Sequence, residues 1–184
     1  MSKGKLIVIS GASGVGKGTV LGLMMKARTD LKFSVSATTR PPRPNEEDGV
    51  HYYFITKEQF EEMIAAGEFL EYDAHAKNYY GTPRKQAEEK LATGHVLLDI
   101  EPKGAAQVRQ ATDATLIFIM PPSMEELERR LRGRGDTPEE QIAIRMERAV
   151  WEMEQRGWYD HIVVNDDAQR CADEILTIIS KLEN

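Results

Sequence analysis

The sequence predicts an α/β fold in which a parallel β-sheet is flanked by helices. Three observations predict it. Short continuous apolar runs recur along the 184 residues, a glycine-rich turn follows the first run, and helical patterns fill the intervals. Runs that are apolar at consecutive positions belong to strands buried on both faces, and such strands alternating with helices call for a parallel sheet. Residues 6–9, Leu-Ile-Val-Ile, are the first strand, and Val20, Leu21, Leu23, Met24 and Ala27 give the helical pattern that follows. Residues 96–100, 116–119 and 162–164 are the second, third and fourth buried strands, and residues 171–182 form a terminal amphipathic helix.

Two stretches interrupt the alternation, and each reads as an excursion from the core. Residues 36–93 hold Pro41-Pro42-Arg43-Pro44 and the aromatic segments Tyr52-Tyr53-Phe54 and Tyr79-Tyr80, the marks of an inserted mixed α/β lobe. Residues 123–158 read as two charged helices joined near Gly133-Arg134-Gly135-Asp136, a helical lid. Both helix starts carry capping signatures, Ser123 with Glu126 and Thr137 with Pro138 and Glu140. One domain over 4–182 is expected, with core segments 4–35, 94–122 and 159–184.

Composition narrows the function classes. At 41% hydrophobic and 29% charged, the chain is globular and not disordered. Its net charge of −6, from 24 basic and 30 acidic residues, argues against coating nucleic acid or an anionic membrane. A single cysteine, Cys171, excludes an intramolecular disulfide framework and a cysteine-rich zinc site, and fits a reducing, cytoplasmic location. The histidines His51, His75, His95 and His161 show no metal-ligand spacing. The first apolar run is too short for a signal segment, and no run approaches the roughly 18 residues that span a bilayer. Monomer and homo-oligomer are equally compatible with these features.

Gly11-Ala12-Ser13-Gly14-Val15-Gly16-Lys17 stands between the first strand and the first helix, the context that gives a G-x-x-x-x-G-K loop its meaning. Glycines let successive backbone N–H groups turn toward phosphate oxygens. The helix N-terminus adds its dipole, and Lys17 adds a mobile positive charge. The next position ordinarily offers a Ser or Thr hydroxyl to Mg2+, but here Gly18 precedes Thr19. Either Thr19 takes over that contact, or the ion is held through water and the nucleotide phosphates.

Phosphoryl transfer needs cations that grip several phosphates more than it needs a strong base. Residues 123–156 contain seven of the thirteen arginines and no lysine, and the planar guanidinium fork matches phosphate oxygens in pairs. Arg130 and Arg134, four apart, can address one target, whereas Arg129 and Arg132 read as a solvated face of Glu–Arg pairs. Arg134 lies between Gly133 and Gly135, where a mobile lid would carry a cation. In the lobe, Arg40 and Arg43 flank two prolines that stiffen their loop. Tyr52 and Tyr80 read both as packing aromatics and as hydroxyls for phosphate. Thr82-Pro83 reads both as a helix N-cap and as a substrate contact. Trp151 and Trp158 read as packing for the lid and its base, and Cys171 as an inert buried thiol.

The segments Ser36-Ala37-Thr38-Thr39-Arg40-Pro41-Pro42-Arg43, Gly49 with Tyr52-Tyr53-Phe54, and Phe69-Leu70-Glu71-Tyr72 together resemble guanylate kinase. So do Asn78-Tyr79-Tyr80-Gly81-Thr82, Leu98-Asp99-Ile100-Glu101, the arginines 130, 134 and 145, and Val164-Asn165-Asp166-Asp167. The resemblance covers nearly the whole chain. It implies a P-loop kinase core, a GMP-binding lobe and a lid, and transfer of the γ-phosphoryl of ATP to GMP with Mg2+, a step of purine nucleotide metabolism. By matched position, residues 11–19, Arg130 and Asn165 contact ATP, and Lys17, Arg43, Arg134 and Arg145 act on the transferring group. Ser36, Arg40, Arg43, Tyr52, Glu71, Tyr80, Gly81, Thr82, Asp99 and Glu101 would contact GMP. Thr19 and Asp99 are the metal contacts it implies, Asp99 directly or through water. Glu101 stands where that family more often has Asp.

Two other readings compete. A P-loop kinase for another nucleotide or a small phosphorylated metabolite is opposed by Glu71 with Ser36, a pair suited to guanine. A catalytically silent protein-binding module of the same fold is opposed by the retention of Lys17, Arg134 and Arg145.

Overall fold

A computed structural model describes residues 4–75, 77–133 and 138–183. In chain order the elements are β1 (Leu6–Gly11), α1 (Lys17–Ala27), β2 (Leu31–Phe33), β3 (Ala37–Thr38), β4 (Tyr53–Phe54), α2 (Lys57–Ala65), β5 (Phe69–His75) and β6 (Asn78–Pro83). They continue as α3 (Arg84–Leu91), β7 (His95–Asp99), α4 (Pro102–Ala111), β8 (Thr115–Met120), α5 (Met124–Arg132), α6 (Glu139–Glu154), β9 (His161–Val164) and α7 (Ala168–Lys181). A five-stranded parallel sheet of order β2-β7-β1-β8-β9 is flanked by helices, and a second sheet has the order β4-β3-β6-β5. The chain divides into two compact units, Met1–Ile7 with Lys32–Ala114, and Val8–Leu31 with Thr115–Asn184.

In the first unit, the second sheet and α2 enclose an aromatic core. Phe60 of α2 is fully buried, with ring centroids 4.3 Å from Phe69 and 5.1 Å from Tyr79, both stacked. A reciprocal capping box starts α2: Gln59 N donates to Thr56 Oγ1 at 3.2 Å, and Thr56 N donates to Gln59 Oε1 at 2.9 Å. β6 pairs antiparallel with β3 and β5. Between Phe69 and Glu71 the β5–β6 register slips by one residue, with Phe69 opposite Pro83 and Glu71 opposite Thr82. The slip breaks the two-residue alternation of faces, so that Phe69, Leu70 and Glu71 are all buried.

In the second unit, Val8 and Ile9 of β1, Leu116–Ile119 of β8 and Val163 of β9 are buried with Val20 and Met24 of α1 and Ile175 and Ile179 of α7. α1 packs on α7. Asp167 caps α7, accepting from Arg170 N at 2.9 Å, and Ser123 caps α5, accepting from Glu126 N at 3.1 Å. Cys171 is fully buried, and burial pushes its thiol up to about 11, which suits an inert residue.

Three expectations change. The strand at residues 162–164 is not buried on both faces: β9 ends the sheet order, and Ile162 and Val164 are exposed. Trp151 is 40% exposed on α6, whereas Trp158 stacks on Tyr159 at 4.4 Å. Thr82 caps no helix, because β6 runs on through Pro83, which itself precedes α3. Arg134 and Thr137 lie outside the described residues.

Gly22 sits in the interior of α1, exposed, and a methyl group there would meet nothing within 4 Å. Glycine in a helix interior costs about 0.5–1 kcal/mol relative to alanine. Gly22→Ala is therefore expected to raise stability by about that amount, read as a higher urea midpoint at unchanged slope. A lowered midpoint would show that the helix is constrained at this position.

Candidate nucleotide-binding sites

In the second unit the loop after β1 forms a cradle. Gly14 (φ 89°) and Gly16 (φ 97°) occupy the left-handed region, where a side chain is strained. Space forbids one as well: a Cβ on Gly14 would lie 2.5 Å from Leu131 Cδ2, and one on Gly16 would lie 2.8 Å from Asn165 Nδ2. The loop turns where Val15 N donates to Ala12 O at 3.0 Å, and α1 starts where Thr19 N and Val20 N donate to Gly16 O. The Val15 carbonyl accepts from Asn165 Nδ2 at 2.8 Å and from Arg130 Nη1 at 3.2 Å. Arg130 is also paired with Glu126 at 2.8 Å. Asn165 and Arg130, expected at the nucleotide, thus both hold the loop that would cradle it. Lys17 Nζ donates to Gly11 O at 3.1 Å, which keeps its charge over the loop. Gly18 and Thr19 are exposed on the first turn of α1, and Arg145 is half-buried on α6. Arg129 and Arg132 are engaged in ion pairs with Glu126, Glu128 and Glu139, as expected of a solvated face.

In the first unit a cavity of about 180 Å³ is lined by Ser36, Tyr52, Glu71, Tyr80, Gly81, Asp99 and Glu101, and also by Asp73, Ile100 and Gly104. The first seven were expected from the sequence. Glu71 is the buried one among the acids, 5% exposed, and its Oε1 accepts from Thr82 Oγ1 at 2.6 Å. Its other oxygen fills the space a side chain would need at Gly104, where a Cβ would lie 2.3 Å from Oε2. Burial pushes the Glu71 carboxyl up from the ordinary 4.5 to about 7; the Thr82 hydrogen bond opposes this shift, and Asp73 and Glu101 add to it. Arg40 is clamped in the same unit. Its guanidinium donates to both Glu46 oxygens, at 2.7 and 2.8 Å, and lies 5.2 Å from the centroid of Tyr52. Arg43 N donates to Glu46 Oε2 at 2.8 Å, while the Arg43 side chain is exposed. Bonding to Arg40 holds the Glu46 carboxyl down at about 2. Sequence reasoning missed Glu46, Asp73 and Gly104. The Arg40–Glu46 spacing of six residues fits no regular element and gives no local signal.

The family model for guanylate kinase matches residues 3–182. The chain belongs to the guanylate kinase family. Guanylate kinase of Synechococcus sp. (strain JA-3-3Ab) is 47% identical over 180 residues, spanning 97% of this chain and 83% of the relative. That of Synechocystis sp. (strain ATCC 27184) is 47% identical over 98% of this chain and 96% of its own length. The crystal structure of guanylate kinase from Anaplasma phagocytophilum superposes with a TM-score of 0.78 at 33% identity, covering 98% of this chain and 86% of that one. The activity is that of a guanylate kinase, ATP:GMP phosphotransfer. No helix among the described residues is long and apolar enough to cross a membrane.

Glu71 makes stability depend on pH in a stated direction. Its folded-state value lies above its unfolded one, so the folded protein holds the proton more tightly. The stability this contributes is complete below about 4.5 and is lost as pH rises through about 7. Glu71→Gln, neutral throughout, should gain on the parent by up to about 3 kcal/mol between pH 5 and pH 8. Denaturant titrations across that range check it. A parent and variant that keep a constant difference would place the Glu71 titration elsewhere.

Proposed function

We propose that the loop Gly11-Ala12-Ser13-Gly14-Val15-Gly16-Lys17-Gly18-Thr19 cradles the phosphates of ATP and that the Glu71 cavity reads the base of GMP. The observation that carries the second assignment is the pairing of a buried carboxylate with nearby hydroxyls. Guanine presents two adjacent donors, N1–H and the 2-amino group, beside the O6 acceptor. Ionised Glu71 accepts from both donors, Ser36 donates toward O6, Gly81, Asp99 and Glu101 complete the wall, and Thr82 acts from behind it through its hydrogen bond to Glu71. Adenine sets a lone pair against the same carboxylate. Arg40, Arg43, Tyr52 and Tyr80 take the GMP phosphate, and the Glu46 clamp holds Arg40 in one orientation before substrate arrives, which lowers the ordering cost of binding.

In the transfer, an oxygen of the GMP phosphate forms a bond to the γ-phosphorus of ATP as the bond from that phosphorus to the β–γ bridging oxygen breaks, and ADP leaves. The attacking group is already an anion, so the protein's task is positioning and charge stabilisation. Lys17 neutralises charge that develops on the transferring group and on the leaving β-phosphate, Arg43, Arg145 and Arg134 grip the transferring phosphoryl, and Arg130 and Asn165 keep the loop in shape beside ATP. Thr19 and Asp99, each exposed within its own unit, offer oxygen donors of the kind Mg2+ takes, an ion that binds few protein ligands and keeps its waters. When bound with ATP it would supply charge neutralisation. Residues 36–93 are the GMP lobe and 123–158 the lid in this reading, with the chain acting in the cytoplasm on nucleotides and not on nucleic acid or membrane. Its single buried cysteine supports that compartment.

Lys17→Met tests the cradle. The variant is expected to fold and to lose at least about 10²-fold in kcat, the usual cost of removing a group aimed at developing charge. Near-normal turnover by the folded variant would remove the cradle assignment.

A further inference from the structure

Glu152 is a buried acid that the reading above leaves unused. It lies in the last turn of α6, 2% exposed, at the end of the helix where the dipole disfavours a negative charge. Burial and dipole both act against an ionised glutamate there, so its contacts must compensate. Two of them do. Glu152 Oε2 accepts from the backbone N–H of Ser13, in the cradle loop, at 2.8 Å. Its Oε1 accepts from Arg148 Nε, one turn back on α6, at 3.1 Å.

We infer that Glu152 is a positioning residue for phosphoryl transfer, fixing the entrance arm of the phosphate loop to the helix that carries Arg145. The loop needs such a fixture. Its following residues are set by the left-handed glycines and by the Val15 carbonyl contacts, whereas Ser13 lies in the turn closed by Val15 N on Ala12 O, which sets the turn's shape but not its place against α6. A carboxylate is the acceptor with the strongest hold on a single N–H. It also takes Ser13 N–H away from the nucleotide, which assigns phosphate binding to the N–H groups further along the loop. A bare anion so close to a phosphate site would repel ATP, and Arg148 offsets that charge on the side away from Ser13 N–H. Because Arg145 and Glu152 share α6, the cradle and a transfer-site cation are referred to one rigid element.

The inference rests on the reading of this loop as the ATP cradle, whose own failure would appear as turnover retained by Lys17→Met. Glu152→Gln and Glu152→Asp in the full-length chain test the inference itself, with kcat referred to the folded fraction. Gln keeps an acceptor at the same reach for Ser13 N–H, gives up the bond from Arg148 Nε, and is expected to hold kcat within about threefold because the Ser13 contact is the one that positions the loop. Asp is one methylene short and is expected to lower kcat by about tenfold or more, since misplacement of about 1 Å is enough for such a loss, with the KM for GMP unchanged. A purely structural role lowers the folded fraction but leaves kcat per folded molecule alone. Equal kcat for Asp and the parent, or Gln falling as far as Asp, overturns the proposal. Amide exchange on the unmodified protein gives a check that needs no variant: Ser13 N–H is expected to be protected, and exchange at the rate of an open loop contradicts the contact.

Discussion

A carboxylate that water cannot reach has to be given either a proton or donors, and the first unit is organised around that requirement at Glu71. The register slip in β5 turns Glu71 inward beside two apolar neighbours instead of leaving it on the exposed face. Thr82, brought opposite by the same slip, donates one hydrogen bond. Gly104 of α4 leaves the volume that the second oxygen occupies. Bonding from the Thr82 side chain and backbone is not enough to keep the acid ionised against burial, and its proton is therefore held up to about pH 7. What would complete the set is a ligand edge with two adjacent donors, which is the feature that separates guanine from adenine.

On the proposal that its loop cradles phosphate, the second unit faces the opposite problem, a set of backbone donors that must stay open toward an anion. Left-handed glycines make the turn, and polar side chains hold its carbonyl groups: Asn165 and Arg130 from distant segments at Val15, and Lys17 at Gly11. These contacts occupy acceptors, and among the described residues the Ser13 N–H bonds outward to an acid. The loop thus presents its remaining N–H groups in a fixed array, which is how an anion site avoids reorganising when the anion arrives. The arginines divide by the same logic. Those engaged by acids on the solvated side, Arg129 and Arg132, stabilise helices, whereas Arg130 turns to the loop.

Much of this was legible in the sequence. β1, β7 and β8 stand out as continuous apolar runs because both faces of a central strand are buried, and the cradle is legible because its glycines and lysine are contiguous. The lobe is harder. β3 and β4 are two residues each, too short for any period, and the slip that buries Glu71 has no signature in Phe69-Leu70-Glu71-Tyr72 alone. The Thr56–Gln59 capping box was there to be read and marks the start of α2. Ser13 and Glu152 are 139 residues apart, and no local rule pairs them. β9 differs from the sequence expectation because an edge strand with apolar residues on its open face has the same run as a central one.

On the proposed reading of the cavity, GMP binding converts a proton-holding Glu71 into an ionised acceptor. Calorimetric titration with GMP at pH 7, repeated in buffers of different ionisation enthalpy, counts the protons exchanged on binding. With a carboxyl near 7 in the free protein, about half a proton should leave per GMP bound. Glu71→Gln should abolish that release while keeping any share that comes from the GMP phosphate itself, which titrates near pH 6. Equal proton counts for the parent and Glu71→Gln would show that Glu71 does not ionise on binding GMP.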